Sequence, residues 1–470
     1  MKTKILMIFF LLISTLVSQN FNDVLRLSFQ PYKIGARAIG MGGAFIGVSD
    51  DYTATAYNPA GLFQLRRMEF HGGLNYLSLN NNTSFFGNQS SFSNNSVKLT
   101  DLGFVFPFPV IRGSLVFAFG YNRNNFFNES LSFEGFNDGN TSMIQALLGK
   151  GDISYLLYLT DSTGDITPIN GKLYQSGSIL NSGSEGNWVF SGAIEVAKNL
   201  SFGATIGIIS GDFERNRDYS EEDIRNIYNA NVRTDPADSR TADFELFKLQ
   251  ETLKWELTGF TAKIGMMYRV EDYMRFGTTI KFPSIYTVKE HYLVDGYSQF
   301  GTGFSADIDP PLESKLEYEI WSPFEFGVGF SVSKFGLTLS GDINLIDYTQ
   351  MEMKGLSPSK IARVNRDIKQ LFRSVMDYSF GAEYNVLNTG VRLRAGYFLK
   401  MSPFKDDPKD FDRKYFTFGL GYITPDGFSL DFAVVRGKWK NVGDNYGSGV
   451  SRTYQSLSSS DFVFTTGFRF

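Results

Sequence analysis

Residues Gly35–Leu62 read GARAIGMGGAFIGVSDDYTATAYNPAGL, and the rest of the chain is organised around them. The stretch holds Gly35, Gly40, Gly42, Gly43 and Gly47, five alanines before Ala60, and a closing Asn58-Pro59-Ala60-Gly61. Small residues at this density let backbone run close to other backbone, and they build a poor core of their own. The segment is therefore expected to sit packed inside something larger. Gly40-Met41-Gly42-Gly43 lacks the Lys-Ser/Thr ending of a phosphate-cradling loop and follows no hydrophobic strand, which argues against a nucleotide site. Asn58-Pro59 alone is an ordinary turn signal, since Asn bonds nearby backbone and Pro sets φ.

The composition says what the enclosing body is. Of 470 residues, 42% are apolar, and these are unusually aromatic: 46 Phe and 24 Tyr against 4 Trp, beside 47 Gly. Aromatic residues with abundant Gly and few Pro suit a large β structure. The net charge of -4 argues against a nucleic-acid partner, which wants a basic patch. There is no cysteine, which removes disulfides and thiol chemistry. His71 and His291 are the two histidines, too few for a histidine-based metal site or a Ser-His triad, so neither enzyme chemistry nor a cofactor is expected.

The first residues read as an export signal. Lys2 and Lys4 precede a mostly apolar Ile5–Val17, and small residues follow near Ser18, giving a signal peptide over 1–18. About thirteen apolar residues fall short of the ~20 that a membrane helix needs, and no later stretch reaches that length. An exported chain of this kind spans a membrane only as a closed β-barrel.

From Glu69 onward the pattern is period two. Met376, Tyr378, Phe380, Ala382, Tyr384 and Val386 share one face, opposite Asp377, Ser379, Gly381, Glu383 and Asn385. Val391–Lys400 repeats it, with Arg392 and Arg394 on the polar face. Charges in mid-strand suit a wet lumen with lipid outside. Fourteen such segments are found, near 67–80, 97–108, 112–129, 186–198, 200–214, 243–270, 273–291, 313–333, 335–351, 374–387, 390–402, 412–424, 427–440 and 459–470. Their connections alternate. Tight links such as Asn199, Glu271-Asp272 and Asn388-Thr389 separate long ones near 81–96, 130–185, 215–242, 292–312, 352–373, 403–411 and 441–458. Short turns on one side and long loops on the other are the pattern of an outer-membrane barrel, with both termini periplasmic. Within the long links, 220–232 and 357–372 show helical spacing, Ser357 or Ser359 being able to cap the latter, and 141–159 is rich in apolar residues.

The segment GARAIGMGGAF, the acidic pair Asp50-Asp51 and NPAGL resemble the N-terminal hatch of FadL-type outer-membrane transporters. That family moves long-chain fatty acids and other hydrophobic molecules into Gram-negative cells through a 14-stranded barrel. The resemblance implies an all-β, 14-stranded antiparallel transmembrane barrel with an N-terminal plug in its lumen. The domains would be a signal peptide (1–18), a hatch (19–66) and a barrel (67–470). It also implies loop capture of a hydrophobic small molecule, transfer to an inner site against the hatch, a hatch shift, and release through a gap in the wall. Gly35, Arg37, Gly40, Gly42, Gly43, Asn58, Pro59, Ala60 and Gly61 match the hatch motif. Asp342, Asp377, Glu383, Arg392, Arg394 and Asp431 are expected in the lumen, where mutual salt bridging fills the barrel. The closing strand DFVFTTGFRF ends on Phe470, which resembles the signal read by the barrel-assembly machinery. Outer-membrane lipid is then a partner, and the oligomeric state stays open, a monomer being the expectation. Barrels of the PorV kind, which share a similar start, serve type IX protein secretion instead, and this is the alternative function.

Overall fold

The computed structural model of the protein describes residues 20–149, 153–447 and 449–470, so the expected signal peptide lies outside the described residues. Fourteen antiparallel strands close into one barrel. They are β1 (Glu69–Phe85), β2 (Asn88–Phe108), β3 (Leu115–Phe126, resuming as Glu129–Asn137), β4 (Leu173–Ala197) and β5 (Leu200–Glu222). Then follow β6 (Phe244–Val270), β7 (Met274–Lys281, resuming as Ile285–Phe300) and β8 (Leu312–Trp321, resuming as Glu325–Lys334). The remaining six are β9 (Leu337–Asp347), β10 (Ser374–Asn385), β11 (Val391–Lys400), β12 (Arg413–Ile423), β13 (Phe428–Asp444) and β14 (Arg452–Arg469). Each pairs with its sequence neighbours, and β14 closes on β1 from Glu69↔Arg469 to Ser84↔Tyr454. Closure leaves no edge, as lipid requires. Among the described residues no helix is long and apolar enough to cross a membrane.

All fourteen sequence segments correspond to strands, and the inward/outward alternation holds at the two strands first singled out. Met376, Phe380 and Tyr384 are exposed outward while Asp377 and Glu383 are buried inward. The terminal aromatic lies on the outward stripe: Phe470 sits 5.7 Å from Phe468 and 6.2 Å from Phe104, ring to ring.

Three expectations are corrected. Residues 81–96 are not a loop, because β1 and β2 run on past them and meet in the two-residue turn Phe86-Gly87, with φ of 46° and 89°. Positive φ at both positions matches the right-handed twist of a tight hairpin. Residues 220–232 form no helix. β5 continues to Glu222, and Ile224 and Ile227 are exposed. Ser357 stands at the N-cap of the expected helix, Pro358–Leu371, but neither it nor Ser359 supplies the capping bond, and Pro at the first position needs no N–H partner there.

The interior has two storeys. At the short-turn end lies the Gly/Ala segment, with α1 (Phe21–Ser28) rising from it and α2 (Ala36–Gly40) within it. In the greasy connection, α3 (Met143–Ala146) and α4 (Ile153–Leu156) are single turns, and the Pro358–Leu371 helix is α5. Asn20 caps α1 reciprocally with Asp23, and Val24 and Leu27 pack inside the barrel. Phe21 meets Phe372 and Phe404 at 5.9 and 6.2 Å, both from the long connections. The first described residues therefore lie in the lumen toward the long-connection end, while Phe470 ends at the short-turn end, bonded to Met68 O.

Candidate functional site: the plugged lumen

The plug is seated by backbone on backbone. A Cβ on Gly42 would stand 2.6 Å from Phe380 O and 2.7 Å from Tyr397 N, and one on Gly47 would stand 2.7 Å from the carbonyl carbon of Phe330. The wall answers with its own glycines: a Cβ on Gly396 would be 2.1 Å from Gly42 N, and one on Gly381 2.2 Å from Met41 O. Gly42 also has φ +64°, a conformation Gly adopts freely.

Side chains then latch the plug at four places. Arg37 of α2 reaches Glu383 of β10 with Nε and Nη2, both at 2.9 Å, and bonds Asp50 and Asp51 with Nη1. Planar guanidinium against carboxylate in two parallel bonds is the strong form of ion pair. Burial opposes charge on Asp50, but Arg37 and then Arg275 outweigh it and hold the carboxyl below its ordinary value. Behind Glu383, Arg394 bonds Glu383 at 2.6 Å and Asp431 at 2.6 Å. Asp342 of β9 accepts Phe45 N at 2.7 Å and Ile46 N at 2.9 Å. Glu69 of β1 accepts Tyr52 N at 2.8 Å.

Asn58 is the fourth latch. Fully buried, it caps the short 3-10 turn Pro59–Gln64 by accepting Ala60 N at 3.1 Å. Its amide donates to Ile46 O at 3.0 Å and to Met266 O on β6 at 3.1 Å. Both the inner turn and the wall contact depend on one side chain. Gly265 and Gly277 leave the space it occupies: a Cβ on Gly265 would stand 2.1 Å from its Oδ1.

Of the charges expected in the lumen, Glu383, Arg394 and Asp431 form one chain with Arg37. Asp377 stands apart, bonding Lys400 at 3.0 Å and Met401 N at 3.0 Å. Arg392 shares the inward face with Arg394. Mutual salt bridging fills this level of the barrel. Sequence reasoning passed over a second cluster, Lys33, Lys263, Lys281 and Glu325. Four residues from four distant segments carry no spacing signal.

Above the plug lies a large apolar cluster with buried charges, among them Glu185, Glu221 and Glu290, set in it. Val24 and Leu27 of α1, Val364, Ile368 and Phe372 at α5, and Phe213, Trp255, Tyr286 and Tyr318 of the wall form one buried cluster. Arg26 lies over the Phe213 ring at 4.3 Å, paired with Asp23 at 3.1 Å. Glu290 accepts from Trp255 Nε1 at 2.9 Å and Tyr318 OH at 2.8 Å. Over the top, Met143, Ile144, Ile153 and Leu157 of the 138–172 connection join the cluster.

A plug latched beneath an apolar lumen is one known architecture. Residues 185–468 match the family described as outer membrane protein transport protein (OMPP1/FadL/TodX). The chain belongs to this family. It is an outer-membrane transport barrel, and its family and structural neighbours are transport proteins and channels rather than enzymes. Similar solved structures include a Pseudomonas aeruginosa FadL homologue, with TM-score 0.58, 15% identity, 94% of this chain and 99% of that one. The Pseudomonas putida toluene transporter TodX gives TM-score 0.54 at 15% identity, covering 94% and 100%. The Ralstonia pickettii toluene transporter TbuX gives 0.50 at 16%, covering 93% and 98%. At such identity the likeness is one of fold. No curated protein sequence matches the chain.

Proposed function

We propose that the protein carries hydrophobic small molecules, long-chain fatty acids among them, across the outer membrane. The observation that carries this reading is the two-storey lumen: a large, mostly apolar cluster that includes α1 rests on a plug held by a few identifiable latches. An apolar guest gains about 25 cal/mol for each Å² it removes from water, so a long chain gains several kcal/mol on reaching this chamber. In the structure α1 fills the chamber, so passage requires α1 and the plug to give way together. Gly35, Arg37, Gly40, Gly42, Gly43, Asn58, Pro59, Ala60 and Gly61 act as the gating segment, and Glu383 with Arg394 is its wall anchor. Residues 1–18 are removed on export, the long connections face outward, and Phe470 is read by the assembly machinery. A tag at Asp165 is then labelled on intact cells and one at Asn388 is not; the reverse pattern overturns the orientation.

The functional test is co-purification from a native lipid extract, followed by uptake of what co-purifies. A bound fatty acid or other apolar compound, taken up faster by cells that make the protein, supports the reading. A secreted protein held in its place, with no uptake, supports the secretion role instead.

A further inference from the structure

The outward face of the barrel is covered by large apolar side chains, and a recess lies among them. On β4 and β5 the outward residues Gly192 and Ala204 stand opposite each other across the ladder. Phe117 of β3 and Ile264 of β6 flank them in the same row. The next row toward the short turns holds Ile194 and Phe202, both exposed. Two small residues among large ones leave a groove of about 630 Å³. The ladder beneath it is unbroken from Phe117↔Gly192 through Gly192↔Ala204 and Ala204↔Ile264 to Ile264↔Ile280. On the lumen side the same strands carry Gly203, where a Cβ would stand 2.4 Å from Ala60 N of the plug. The wall is thin here but sealed, so the groove is a recess and not an opening.

Lipid tails face this recess. They are as apolar as the wall itself, so close packing rather than a hydrophobic gain selects what lies there. An empty recess forfeits dispersion contacts that a chain lying in it recovers. Its reach is that of one tail. Gly192 and Lys198 are six residues apart on one strand and its turn, about 20 Å at the usual rise. Strands tilted by about 40° turn that into about 15 Å of depth, one leaflet of a ~30 Å hydrocarbon core.

The foot of the groove is basic. Arg112 is exposed in the β2–β3 turn and Lys198 in the β4–β5 turn, and Glu195 N donates to Ser114 O at 2.9 Å, which sets the two turns side by side. Arg66, also exposed, reaches the same place by donating to Gly113 O at 3.2 Å. Glu195 is the acid among them, 4.0 Å from Arg66. The β6–β7 turn is acidic instead, with Glu271 and Asp272, so the positive sector is confined to the end of the groove. Basic clusters of this kind hold anionic head groups, and a guanidinium can meet a phosphate with two parallel bonds.

We propose that this recess is a fixed site for one anionic glycerophospholipid of the periplasmic leaflet. Its phosphate lies against Arg112 and Lys198, and one acyl chain lies over Gly192 and Ala204. The leaflet rests on the orientation proposed above; the site and its charge preference do not.

The folded barrel, purified in detergent, is titrated with dioleoylphosphatidylglycerol or dioleoylphosphatidylcholine, and the lipid retained per barrel is counted by native mass spectrometry. One retained phosphatidylglycerol, favoured about tenfold over phosphatidylcholine, is the expected result. Arg112→Glu with Lys198→Glu should abolish the preference. Gly192→Leu with Ala204→Phe should fill the groove and lower retention of both lipids. A Cβ on Gly192 has the Phe117 ring as its nearest neighbour, at 3.4 Å, so the new side chain enters the groove and not the plug. Heat-modifiability shows that each variant is folded. Equal retention of the two lipids by the unmodified barrel overturns the site, and so does unchanged retention by the filled groove. Retained phosphatidylglycerol together with surface labelling of the tag at Asn388 overturns the orientation and the leaflet while leaving the lipid site standing.

Discussion

The lower and upper storeys of the lumen are filled in opposite ways. Below, glycine backbone of the plug lies on glycine backbone of the wall, and Arg37, Asn58, Asp342 and Glu69 fix its position. Above, side chains of α1, α5 and the wall meet in an apolar cluster threaded by a few largely buried charges such as Arg26, Asp23 and Glu290. Backbone contact tolerates no added atom, and a buried polar latch tolerates no missing partner. An apolar core accepts exchange of one greasy group for another of like volume. The lower storey is thus built to hold one arrangement, and the upper storey tolerates exchange.

The largest expected effect follows from removing the lower storey. Deleting Gly35–Ala56 leaves strands whose ladder closes without the plug, so the barrel assembles. In a planar bilayer it conducts ions while the intact protein is nearly silent, and hydrophobic uptake falls. Equal low conductance from both would show that side chains or loops close the lumen instead.

Point changes sharpen the contrast. Gly396→Leu forces a side chain into Gly42 and should unseat the plug, read as raised conductance or as loss of heat-modifiable barrel. Leu27→Met, in the upper storey, should cost under about 1.5 kcal/mol and leave the barrel silent. If the two behave alike, the storeys are not different in kind. Arg37→Ala comes next. It leaves Glu383 and Asp50 buried without their cation, at a cost of about 3 kcal/mol or more, and intermittent conductance should follow. Arg37→Lys should recover part of the silence, because a lysine keeps the charge but loses the planar fork. Phe470→Ala is the smallest effect. It touches neither storey and should lower only the amount of assembled barrel, with normal silence in those that form.

The sequence read well where the wall meets lipid. Strands such as Met376–Val386 and Val391–Lys400 have one dry and one wet face, and that asymmetry is what alternation records. Beyond the bilayer it fades. Asn80-Asn81-Asn82 and Ser90-Ser91 are polar on both faces, although Asn81 and Thr83 are buried against Ser130 and Ser132, so the tall β1–β2 hairpin read as a loop. The same physics hid the upper reaches of β4 and β5. The plug was legible as small residues needing a host, and Arg37 and Asn58 with it. Its wall partners Asp342 and Met266 were not legible as partners, because contacts across some two to three hundred residues leave no local mark.

The central claim is that the plug must leave its seat for passage. Asn122 of the wall donates to Thr55 Oγ1 of the plug at 3.1 Å, so Thr55→Cys with Asn122→Cys can tether the two in a chain free of other thiols. Uptake of the co-purified compound is then measured before and after reduction. The account predicts a barrel that is folded and silent in both states, carries nothing while tethered, and regains uptake when the bridge is reduced. Full uptake through the tethered barrel would contradict it.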